Sequence, residues 1–179
     1  MSSPVDAALD RLVREIRDFP QAGIVFKDIS PLLADPEGFA TTVTALADLG
    51  RRLAPDGVDA VVGIEARGFI LAAPVALALG AGFVPVRKKG KLPAATHEVS
   101  YALEYGEATL QIHQDGLKPD ERVLIVDDVL ATGGTVEATA ELVRQCDATV
   151  SGVAVLLELG FLGGRSKLAG LRADSVRVV

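Results

Sequence analysis

Two adjacent aspartates, Asp127 and Asp128, follow the apolar run Val123 to Val126 and precede the loop Ala131-Thr132-Gly133-Gly134-Thr135. Neighbouring like charges repel, and burying them is costly unless a ligand or cation compensates. Gly133 and Gly134 open backbone angles closed to other residues and let successive N–H groups turn toward one point. Thr132 and Thr135 add hydroxyl donors, and the helix start expected behind them adds a positive dipole end. Such a loop suits a phosphate. The carboxylates suit what a phosphate does not offer: ribose hydroxyls, which donate, or a divalent cation. Side by side, the two halves point to a ribose 5-phosphate. The simpler alternative is a strand-to-helix turn with a polar cap. No G-x-x-x-x-G-K-[ST] occurs and no G-x-G-x-x-G follows a strand, which argues against a P-loop and a dinucleotide site. A phosphoacceptor receiver domain would carry its acidic pair near its start, whereas this pair lies past position 125.

The elements that must hold these residues follow from periodicity. Val5, Leu9, Leu12, Val13 and Ile16 recur at spacings of three and four, which predicts an N-terminal helix ended by Pro20. Ala22 to Leu33 reads as irregular or extended. Asp35-Pro36 opens a second helix with Phe39, Val43, Leu46 and Leu53 on one stripe. Buried strands are expected at Asp59 to Glu65, Phe83 to Val86, Val123 to Val126, Thr149 to Leu159 and Ser175 to Val179, with helices at Gly68 to Leu79 and after Gly134. Residues 87–113 begin charged and turn-rich and end in alternation, a flexible arm returning as two antiparallel strands. Alternation along a strand aims Asp127 and Asp128 apart, so both serve one ribose only if the strand ends between them. Strands alternating with helices give an α/β domain with a mostly parallel central sheet flanked by helices.

Bulk composition agrees. The 179 residues suit a single domain, 1–179, and aromatics make up only 4%, leaving an aliphatic core suited to covered parallel strands. A net charge of −6 argues against nucleic-acid binding. One cysteine, Cys146, excludes an internal disulfide and reads as packing. Without a signal-like start or an apolar run of 18 residues, a soluble cytoplasmic protein away from membranes is expected. His97 and His113 have no metal or triad spacing and read as surface residues.

The stretch "VLIVDDVLATGGT" resembles the phosphoribosyl-pyrophosphate (PRPP) signature of type I phosphoribosyltransferases. With "FPQAGIVFKDISPLL", "RGF", "VRKKGKLP", "YALEYG" and "LLEL" in that order, from about Phe19 to Leu168, the resemblance narrows to the adenine phosphoribosyltransferases. It implies the type I fold with a small base-binding hood from residues 1–35, a catalytic arm at 87–113 and the PRPP motif at 123–135. It implies transfer of phosphoribose from PRPP to adenine, giving AMP and pyrophosphate, with Mg2+ held mainly by substrate oxygens and no direct protein ligands. By the same resemblance, Ala131 to Thr135 hold the 5-phosphate. Asp127 and Asp128 hold the ribose and steady developing positive charge. Arg67, Arg87, Lys88 and Lys91 face pyrophosphate, with Lys89 a bystander. Glu104 is the candidate acid/base near adenine, Tyr105 closes over the substrate and Tyr101 contributes packing. Phe26 either stacks on the base or packs in the core, backbone groups at Val25 and Lys27 read its edge, and Leu159 either covers it or packs in the core. Asp28 and Ser30 shape the N-terminal loop. Family members often carry Arg where Lys27 stands. A homodimer is implied, with the N-terminal helix and the region near Arg87 as candidate interfaces. Two alternatives remain: a transferase for another purine base, and a non-catalytic PRPP-sensing regulator.

Overall fold

The computed structural model describes residues 3–102 and 107–179. The chain divides into two compact units, Met1–Ala45 and Leu46–Val179.

In the first unit, α1 spans Pro4–Leu12. Ser3 caps it by accepting the Asp6 N–H at 3.2 Å, with Pro4 at the first helical position, where its missing N–H costs nothing. The helix stops well before Pro20, because Val13 is already extended and Arg14–Arg17 form strand β1. Ile16, expected on the helical stripe, instead lies opposite Phe26 of β2 (Val25–Asp28) in an antiparallel pair. Two competing periods met at Val13, and cross-strand pairing won. The hairpin is fastened by an Arg14–Asp28 ion pair, by Lys27–Glu15 and by an edge-on contact of Phe19 with Phe26 at 5.1 Å. Asp28 also accepts the Ser30 N–H at 2.8 Å at the start of α2 (Ser30–Ala34). Ser30 first, and Arg14 after it, hold the Asp28 carboxyl down to about 2. Asp35 accepts the Gly38 N–H at 2.7 Å and so caps α3 (Pro36–Leu53), whose latter part belongs to the second unit.

The second unit is built on a seven-stranded sheet. Its strands are β3 (Ala60–Ile64), β4 (Gly82–Lys88), β5 (Thr96–Ala102), β6 (Glu107–His113), β7 (Arg122–Leu130), β8 (Thr149–Glu158) and β9 (Ala173–Val178). Their order is β5-β6-β4-β3-β7-β8-β9. The five strands β4, β3, β7, β8 and β9 run parallel, and the β5–β6 hairpin joins antiparallel through β4. Helix α4 (Arg67–Leu79) connects β3 to β4, and α5 (Gly134–Gln145) connects β7 to β8. These crossovers leave the central pair β3–β7 in opposite directions, and right-handed connections then put the two helices on opposite faces. Packing agrees. Gly63 faces Ala72 of α4, while Val62 and Ile64 join Val136, Ala140 and Val143 of α5 in the main core. Cys146 is buried in that core, and burial pushes its thiol up.

Strand β7 does not end between the aspartates: pairing with β3 stops at Val126, but pairing with β8 runs on to Leu130. Both carboxylates nevertheless reach the turn at the start of α4, Asp128 beside Arg67 and Asp127 against Gly68, so a shared ligand does not require the strand to end between them. His97 and His113 are half-buried strand residues, and among the described residues His113 Nε2 is buried without a hydrogen-bond partner. Among the described residues no helix is long and apolar enough to cross a membrane.

Candidate functional site

Open α/β sheets bind ligands beyond the carboxyl ends of their strands, where the crossovers diverge. Here that point lies between β3 and β7. β3 delivers Glu65, Ala66 and Arg67 there through a turn with a cis Glu65–Ala66 bond, and β7 delivers Asp127 and Asp128.

Both aspartates are buried. Asp127 Oδ1 accepts the Asp128 N–H at 2.9 Å. Burial, and after it the neighbouring Asp128 charge, raise the Asp127 carboxyl well above its ordinary range; the Asp128 N–H and Arg67 pull the other way without offsetting them. Arg67 Nη2 lies 2.7 Å from Asp128 Oδ2 as an ion pair, and among the described residues that oxygen accepts no further hydrogen bond. Gly68 makes room for the pair, because a Cβ there would stand 2.6 Å from Asp127 Oδ1.

The loop after β7 has the expected build. Gly133, with φ +84°, precedes the first turn of α5, and both Gly133 and Gly134 are buried while Thr132 is exposed. Thr135 Oγ1 lies 3.0 Å from the Tyr101 hydroxyl. The loop is backed by Gly164, whose carbonyl oxygen would stand 2.5 Å from a Cβ at Gly133. Arg165 fixes that backing by forking onto Glu158, with Nε 3.0 Å from Oε1, and by donating to the Ala173 carbonyl. Arg165 also holds the Glu158 carboxyl below its ordinary range. Leu159, just past β8, is half-buried, and its N–H donates to the Leu130 carbonyl at 2.9 Å.

The cations divide. Arg67 joins the aspartates. Arg87 donates to Glu65 at 3.2 Å and to the Lys91 carbonyl at 3.1 Å, and the Lys88 N–H donates to Glu65 at 3.1 Å. The Lys88 and Lys91 residues are exposed, and Lys89 pairs with Glu98 at 3.0 Å. Val25, Phe26 and Lys27 belong to the first unit, with Val25 exposed and the Lys27 ammonium tied to Glu15. Glu104 and Tyr105 lie outside the described residues. Glu65, Gly68, Glu158 and Arg165 escaped sequence reasoning. Only the turn-forming "EARG" after a strand could have hinted at the first two.

No three His, Cys, Asp or Glu side chains gather as a metal cage among the described residues. The two buried carboxylates fit a divalent cation that arrives with most of its oxygens supplied by a ligand.

The phosphoribosyl transferase domain model matches residues 31–175. An adenine phosphoribosyltransferase of Thermobifida fusca is 56% identical over all of both chains, and one of a Nocardioides species is 63% identical over 88% of this chain and 85% of that one. Among solved structures, the adenine phosphoribosyltransferase of Thermoanaerobacter pseudethanolicus superposes with a TM-score of 0.90 at 46% identity, covering 97% of this chain and 99% of that one. The Saccharomyces cerevisiae enzyme, crystallised with an imino-altritol bisphosphate and adenine, gives 0.91 at 37% identity over 96% and 97%. The divergence point between β3 and β7, its buried aspartates and its glycine loop thus sit in a chain that belongs to the phosphoribosyl transferase family, among the adenine phosphoribosyltransferases.

Proposed function

We propose that this chain transfers the 5-phosphoribosyl group of PRPP to adenine, releasing AMP and pyrophosphate in purine salvage. The observation that carries it is the buried Asp127–Asp128 pair set against the Gly133-Gly134 turn, in a chain alike over its full length to an adenine phosphoribosyltransferase. Beside its Arg67 ion pair, Asp128 Oδ2 accepts no hydrogen bond among the described residues, and a ribose hydroxyl could supply one. The Ala131 to Thr135 loop offers N–H and hydroxyl donors to the 5-phosphate. A ring nitrogen of adenine bonds to the anomeric carbon as the bond to pyrophosphate breaks, and pyrophosphate leaves with the electron pair. The aspartate carboxyls steady positive charge developing on the ribose. Arg67, Arg87, Lys88 and Lys91 hold the departing pyrophosphate, Arg as a fork and Lys as a point charge. Mg2+ would be held mainly by substrate oxygens and would supply charge neutralisation at the leaving group.

Glu104 manages the purine proton in this mechanism. Glu104→Leu is therefore expected to lower kcat by about 10²-fold with PRPP affinity retained, and a near-wild-type kcat would remove the role. Base recognition falls to Phe26 and to backbone groups at Val25 and Lys27. Because the Lys27 side chain bonds Glu15, Lys27→Arg is expected to leave backbone reading of the base intact. A cytoplasmic homodimer completes the proposal; the single buried thiol suits a reducing compartment, and light scattering reads the dimer directly. Function itself is tested by incubating the protein with PRPP, Mg2+ and adenine. AMP and pyrophosphate should appear one for one, whereas PRPP binding without turnover would favour a sensing regulator.

A further inference from the structure

Two contacts join the β5 strand to the glycine loop, and neither is required by the sheet. The Tyr101 hydroxyl lies 3.0 Å from Thr135 Oγ1, and the Tyr101 ring covers Gly134, where a Cβ would stand 3.2 Å from the ring carbon Cδ2. Gly134 is a helical residue without a left-handed backbone, so the ring above it, rather than its own conformation, is what crowds a side chain there. Tyr101 is held in register opposite the small Ala108, and the next pair, Ser100 and Thr109, shares a hydroxyl hydrogen bond of 2.7 Å.

A threonine hydroxyl carries one proton and two acceptor positions, and a tyrosine hydroxyl carries one proton. The Tyr101–Thr135 bond therefore has two possible directions. If Thr135 donates to Tyr101, it has no proton left for an anion. If Tyr101 donates, the Thr135 proton stays available. An anion in the loop selects the second direction, and each bond then polarises the next: Tyr101 Oη–H to Thr135 Oγ1–H to phosphate oxygen. We infer that Tyr101 is a positioning residue for the 5-phosphate site, its hydroxyl orienting the Thr135 proton toward the phosphate while its ring seals the Gly134 side of the loop. The inference rests on the proposed phosphate role of the loop and adds to it a residue from a different part of the chain.

Tyr101→Phe keeps the ring over Gly134 and removes only the hydroxyl. Losing one hydrogen bond's worth of orientation is expected to raise the KM for PRPP and the Kd for AMP by about 3- to 10-fold. kcat, the KM for adenine, product inhibition by pyrophosphate and Tm should stay close to wild type. A purely structural contact would lower Tm and leave the PRPP and AMP constants alone. In a Thr135→Val background, Tyr101→Phe should have no further effect on PRPP or AMP. Unchanged PRPP and AMP constants in Tyr101→Phe, or an equal loss in the Thr135→Val background, would overturn the inference while leaving the transferase proposal standing. Failure of the wild-type protein to bind PRPP or AMP at all would overturn both.

Discussion

Gly133→Ala is expected to lower kcat/KM for PRPP by about 10²-fold or more. Two costs combine at this position. The backbone has φ +84°, where a Cβ costs about 1–2 kcal/mol. The added carbon would also stand 2.5 Å from the Gly164 carbonyl oxygen, a backbone atom that cannot swing aside. Gly164 is itself confined, since a Cβ on it would stand 2.1 Å from the Ala131 carbonyl oxygen, and its neighbour Arg165 is forked onto Glu158. The loop is the softer partner and must give. A displacement of about 1 Å in a group that positions substrate costs about 10²-fold. The loss should fall on PRPP and AMP, with far-ultraviolet circular dichroism unchanged. Unchanged PRPP kinetics would remove the 5-phosphate from this loop.

Asp127→Asn should weaken the decline of stability with pH and lower activity. The folded protein holds the Asp127 proton more tightly than the unfolded chain does, chiefly because the carboxyl is buried and secondly because Asp128 lies beside it. A carboxyl raised in this way contributes stability that is fully present below its unfolded value, about 3.9, and is lost as pH rises through the raised folded value. Above that value the wild-type protein carries a buried charge without adequate compensation. Asn removes the charge and keeps an oxygen to accept the Asp128 N–H. As pH rises, Tm should therefore decline less in Asp127→Asn than in the wild-type protein. Activity should fall by about 10²-fold, because a carboxyl proposed to steady positive charge on the ribose has been replaced by a neutral amide. An unchanged decline of Tm with pH, or full activity, would contradict the pairing of these effects.

Much of the divergence point was legible in the sequence. The run into Asp127-Asp128, the Gly-Gly turn and the helix behind it form one local stretch, and period, turn chemistry and cap agree there. Where they conflicted, legibility failed. Ile16 continued a helical stripe but was taken by pairing with Phe26, a choice made by a segment ten residues away. The continuation of β7 beyond Val126 depends on β8, which keeps pairing after β3 has stopped. The supports of the site were invisible for the same reason. Gly68 matters because of Asp127, Gly134 because of Tyr101, and Arg165 because of Glu158 and the turn behind the loop. Each of these is a close approach between segments far apart in the chain, and residue type alone carries no sign of it.

Selection of the base is the central question, since the ribose-phosphate role proposed for the aspartate pair and the glycine loop leaves the acceptor open. The direct measurement is kcat/KM for adenine, hypoxanthine, guanine and xanthine, each with saturating PRPP and Mg2+, read as pyrophosphate release. Adenine should be turned over best, with AMP as the product. Best turnover of hypoxanthine, guanine or xanthine would contradict the adenine assignment while leaving the ribose-phosphate chemistry of Asp127, Asp128 and the Ala131 to Thr135 loop in place.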